Sequence, residues 1–179
     1  PSLMRWITFL ILLYLMSALE SARFAAIPHG ATDWPAIEFL PLLAAFYALY
    51  AAESAAPLAA LACGSMVDMG NHDFLGTSAL PLALMAWLIL RVRLFVVREH
   101  FISQMLATFV LILGYAVLSA FFRKILGASL DGGGMFSHVA YLWADAVYTA
   151  LLAPVFFWIF FRFKDLLGFS LPGARSRGR

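Results

Sequence analysis

Residues 36–67 read AIEFLPLLAAFYALYAAESAAPLAALACGSMV, with Glu38 and Glu53 as the only charges. As one helix this stretch would be about 48 Å long at ~1.5 Å per residue, well over a bilayer hydrocarbon core of roughly 30 Å. Glu53, Ser54 and Pro57 supply a break near the middle, because a charge followed by a proline is poorly placed inside an apolar helix. The residues therefore predict two short antiparallel helices, 38–52 and 55–67, joined by a tight turn. An even number of spans, and so the side on which the N-terminus lies, depends on that break.

Outward from this hairpin the chain keeps the same apolar character. It is 64% hydrophobic and 12% charged, with a mean hydropathy of +0.90, which excludes a water-soluble domain. A first span is expected over about 3–26, ended by the polar turn Pro28, His29, Gly30 and Asp33. Arg5, the apolar run after it and the small residues Ser17, Ala18, Ser21 and Ala22 also suit a removable leader. The apolar run continues to Ile27, however, so it reads as an anchor. Further spans are expected over about 75–97, 100–122 and 138–161, with a Gly-rich link at 127–137 before the last and a basic tail at 165–179. The fold class is thus an all-α integral membrane protein, a six-span helical bundle forming one domain over 1–164.

Eight of the twelve Lys and Arg residues lie in the 91–98 stretch and in the tail from Arg162 onward. Basic residues gather on the cytoplasmic side, so both segments, and with six spans both termini, are expected in the cytoplasm. The uneven spread of the basic residues, rather than the net charge of +2, sets topology, and no nucleic-acid partner is implied.

This orientation collects Glu20, Arg23, Glu38, Asp68, Arg123, Lys124, His138 and Asp145 toward the outer side. A charge inside a span costs roughly 2.5–3.5 kcal/mol on insertion scales, so such residues face other helices and find partners. Glu20 and Arg23 are spaced to pair on one helix face, and Asp145 would seek Arg23, Arg123 or Lys124. The layer reads either as bundle-stabilising pairs or as a site for a ligand or partner. Small residues form two rows on the third span, Ala55, Ala59 and Cys63 beside Ala56, Ala60 and Gly64. Such rows let helix backbones approach closely, within the chain or against another protein.

Enzyme signatures are missing: no phosphate-binding Gly loop with its Lys, no two-histidine zinc helix, no nucleophile elbow. An intramembrane enzyme would need Glu20, Asp68 and Asp145 brought to one depth. His29 and the His72-Asp73 pair read as solvated loop groups, and the lone Cys63 allows no intrachain disulfide. No cofactor or metal is expected.

Gly64-Ser65-Met66-Val67-Asp68, a short polar loop, Leu75-Gly76 and an apolar span closed by Arg91 resemble the rod shape-determining protein MreD family. The family-like motif comprises Gly64, Asp68 and Gly76, with Pro154 in the run 148–156 that resembles the family's last span. The resemblance implies a noncatalytic component of the bacterial elongation machinery in the inner membrane. Its implied partners are the bitopic protein MreC, the actin-like MreB, and a RodA-like glycosyltransferase with its penicillin-binding transpeptidase. It also implies a fold similar to the substrate-binding components of vitamin transporters. That similarity supplies the alternative, a small-molecule-binding part of an energised importer. On the first reading the small-residue faces dock the partner and the outer charges orient it.

Overall fold

A computed structural model of the chain describes residues 2–26, 37–51, 55–71, 74–92, 101–125 and 135–162, with side chains over 6–22, 37–51, 55–70, 74–92, 102–125 and 143–162. The described residues form six helices: α1 (Ser2–Ala26), α2 (Phe39–Tyr50), α3 (Ala55–Asn71), α4 (Ala79–Val92), α5 (Phe101–Ile125) and α6 (Met135–Arg162). Two stretches, Ile102–Ile125 and Trp143–Arg162, are long and apolar enough to cross a membrane; Trp6–Ala22, Phe39–Tyr50, Ala55–Gly70 and Ala79–Val92 are shorter apolar helices.

The chain does break between α2 and α3. Ala51 leaves α2 in an extended conformation, its N–H still bonded to the Tyr47 carbonyl, and α3 begins at Ala55. Pro57 is then the third residue of α3, as Pro41 is of α2 and Pro81 is of α4. A first-turn residue has no intrahelical acceptor for its N–H, so all three prolines sit where the missing donor costs nothing. Pro154 differs, lying well inside α6, where the ring removes a bond to the preceding turn.

α2 is apolar on every side, and a helix of that kind is buried. All its residues from Phe39 to Leu49 are buried. α1, α3, α4, α5 and α6 pack around it, neighbouring one another in the order α1, α3, α4, α5, α6. Among the described residues α1 and α6 do not close the ring. Aromatic side chains of α2 fill that seam instead, with Tyr47 on Phe9 of α1 at 4.9 Å between ring centroids and Phe46 on Phe160 of α6 at 5.0 Å. Edge-on geometry of this kind is favourable for rings. Outward-facing positions are apolar too, including Leu10, Ile11 and Tyr14 on α1 and Leu80, Leu84 and Leu88 on α4. Where the surroundings are as apolar as the core, close packing and buried polar bonds hold helices together rather than the hydrophobic effect.

Candidate functional site

The polar residues gather at the end of the bundle where α2 begins and α3 hands over to α4. α3 continues past Asp68 to Asn71, and α4 starts only at Ala79. The intervening turn brings Gly76 to φ +109°, a backbone conformation that side chains disfavour. This turn wraps the Asp68 carboxylate. Oδ1 accepts from the Ser78 N–H at 2.7 Å and the Thr77 hydroxyl at 2.8 Å; Oδ2 accepts from the Gly76 N–H at 2.8 Å and the Ala79 N–H at 3.3 Å. Asp68 is fully buried, as is Ser78. The carboxylate thus serves, from the neighbouring helix, the N–H groups of the turn that leads into α4 and that of its first residue, Ala79, which has no acceptor within its own helix.

Gly64 lies one turn before Asp68 on the same face and seats the same residues. A Cβ there would stand 2.4 Å from the Ala79 Cα and 2.8 Å from the Ser78 carbonyl oxygen. Close approach at Gly64 brings α4 near enough for Asp68 to reach its N-terminus. The small-residue rows follow the same pattern. Ala56, Ala59, Ala60 and Cys63 are buried within the chain and Ala55 is half-buried, with α3 packed between α2 and α4.

Glu20 has a comparable job on α2. Its Oε2 accepts the Leu40 N–H at 3.0 Å, an N-terminal cap supplied from another helix. The Glu38 N–H at the same helix end donates to the Thr149 hydroxyl of α6 at 3.2 Å. Two bonds therefore tie the start of α2 to α1 on one side and to α6 on the other.

Ser78 is held to Asp68 through its N–H, and its buried Oγ has no hydrogen-bond partner among the described residues. Glu20 and Glu38 lie at the start of α2, while Arg123 is half-buried near the end of α5. Asp145 lies half-buried on α6, one turn before Thr149, and Lys124 is exposed. The side chains of Arg23 and His138, the loop residues His29, His72 and Asp73, the 127–134 link and the 165–179 tail lie outside the described residues. Among the described residues no group of three or more His, Cys, Asp or Glu could hold a metal ion.

Sequence reading passed over Thr149, Thr77 and Ser78, and also Gln104, whose amide donates to the Tyr50 hydroxyl at 2.8 Å between α5 and α2. Gln104 was the detectable one, as an amide in an otherwise apolar helix; the hydroxyl residues carry no such signal.

No curated protein and no solved structure matches the chain, so the expected likeness to vitamin-transporter components gains no support. The family model for the rod shape-determining protein MreD matches residues 2–164. With nearly the whole chain matched, the protein belongs to the MreD family, membrane proteins with a role in determining rod shape.

Proposed function

We propose that this protein is a noncatalytic scaffold of the bacterial cell-elongation complex, crossing the inner membrane with all six helices and both termini in the cytoplasm. It binds an MreC-like bitopic partner and through it influences peptidoglycan synthesis. A RodA-like glycosyltransferase with its transpeptidase, and MreB, belong to the same assembly on this reading. The observation that carries the proposal is the use made of Asp68. The carboxylate of the family-like motif accepts four hydrogen bonds from its own chain and so fixes the α3–α4 corner. A charge spent in this way builds a rigid body, and a rigid body is what a scaffold contributes. The rows of small residues on α3 are likewise filled from within, which directs the partner to the outward-facing side chains of the bundle. The test is copurification in mild detergent with a tagged MreC-like protein. Stoichiometric recovery supports the scaffold reading; a monodisperse protein that never retains this partner overturns it.

A further inference from the structure

We propose that Trp87 and Arg91, on the outward face of α4, bind the phosphate of a bilayer phospholipid and draw the headgroups of that leaflet down along α4. The inference rests on the reading that α4 lies in the membrane. It starts from unequal heights. Along α4 the outward apolar side runs only from Leu80 to the exposed Arg91, a rise of about 16 Å, whereas the apolar stretch of its neighbour α5 has 24 residues and rises about 36 Å at ~1.5 Å per residue. The outward side of α5 is uncharged from Ile102 to Phe121 and matches a core of roughly 30 Å with some tilt. The outward side of α4 begins just after the Asp68 turn, at Leu80, and already meets Trp87 and the exposed Arg91 within three turns.

A cation at this depth would ordinarily extend toward the nearer headgroups. Arg91 stands at the C-terminal end of α4, where side chains lean back toward the helix N-terminus, in this case toward the middle of the bilayer. Its guanidinium lies 5.1 Å from the centre of the Trp87 ring, one turn back. Met85 of α4 lies against Gly114 of α5, and from that level Arg91 is about 9 Å along α4 while Ile102 is about 18 Å along the antiparallel α5 at ~1.5 Å per residue, so the charge is held below the level that α5 sets for the interface, where hydrocarbon around it is strongly disfavoured. Bringing the headgroups to the charge resolves the conflict. A guanidinium offers paired donors that fit phosphate oxygens, and an indole is at home at the interface. Local thinning is a low-cost response of a bilayer to a short apolar face.

The experiment places a nitroxide label at Leu88, an exposed α4 position between Trp87 and Arg91, in protein reconstituted into vesicles of dioleoyl phosphatidylcholine and phosphatidylglycerol. Depth is read from collisions with oxygen and with a water-soluble nickel chelate. The label should report headgroup depth, and R91Q should move it deeper by about one helical turn, ~5 Å. A label in mid-leaflet in the unsubstituted protein, or one that R91Q leaves in place, overturns the phosphate site. A label in bulk water overturns it differently, by removing α4 from the bilayer and the six-span reading with it. Arg91 is exposed, so R91Q is compatible with folding, and melting behaviour in detergent checks this.

Discussion

Asp68 and Ser78 face each other across the α3–α4 corner, with 2.7 Å between the carboxylate Oδ1 and the Ser78 backbone nitrogen. Both are fully buried, so no solvent can replace the bond. Asp68→Ala leaves the N–H groups of Gly76, Ser78 and Ala79 without their acceptor. A buried donor left unpaired costs about 1–3 kcal/mol, and three together should cost at least about 3 kcal/mol. Asp68→Asn keeps one acceptor oxygen and should fall between. The check is apparent melting temperature in detergent, in the order unsubstituted, Asn, Ala.

The glycines of the bundle are predicted to differ sharply in their tolerance of alanine. At Gly64 the added carbon meets backbone atoms of Ser78 and Ala79, which cannot move without parting the helices. At Gly114 it meets the Sδ and Cε atoms of Met85, the mobile end of a flexible side chain, and at Gly70 nothing lies within 4 Å. Overpacking a rigid contact costs about 1–3 kcal/mol. Gly64→Ala should therefore lower the melting temperature most, Gly114→Ala less, and Gly70→Ala not measurably. Equal effects at Gly64 and Gly70 would show that α3 and α4 are not held this closely.

The break after α2 could be read from the residues because Glu53, Ser54 and Pro57 are local signals, and helix ends are made by local chemistry. The start of α4 could not. The apolar run from Leu75 suggests a helix already under way, but Gly76 turns with positive φ and the residues up to Ser78 close around Asp68. That arrangement depends on Gly64 bringing the two helices together, a contact between segments that composition cannot report. Glu20 illustrates the same limit. Its spacing from Arg23 suggests a pair within α1, and nothing in the sequence marks the Leu40 N–H that its Oε2 accepts. The carboxylates of Glu20 and Asp68 stand out in the sequence; the backbone donors that they serve, and the Thr149 hydroxyl that receives the Glu38 N–H, are set by tertiary packing.

Because Glu20 serves α2 as an acceptor, a neutral acceptor should do. Glu20→Gln retains a carbonyl oxygen for the Leu40 N–H and should stay within about 0.5 kcal/mol of the parent protein, whereas Glu20→Leu removes the cap and should cost about 1–2 kcal/mol. Paired melting curves in one detergent decide the matter. If Gln is as damaging as Leu, the charge of Glu20 matters more than its bond to α2.

The small-residue rows of α3 offer the sharpest separation of architecture from partner binding. Ala60 is fully buried, inside a helix that packs against α2 and α4, so a larger side chain there has to displace neighbours in its own chain. Ala60→Leu is expected to destabilise the isolated protein by about 1–3 kcal/mol through overpacking, with no partner present. Leu61, the next residue, is exposed, and Leu61→Ala should leave the isolated protein unchanged. The two variants are compared first as purified protein and then in copurification with the MreC-like partner. Loss of the partner by Ala60→Leu at unchanged melting temperature would return this face to the docking surface. Loss of melting temperature in the isolated protein places the row in the core, where any effect on the partner follows from the fold.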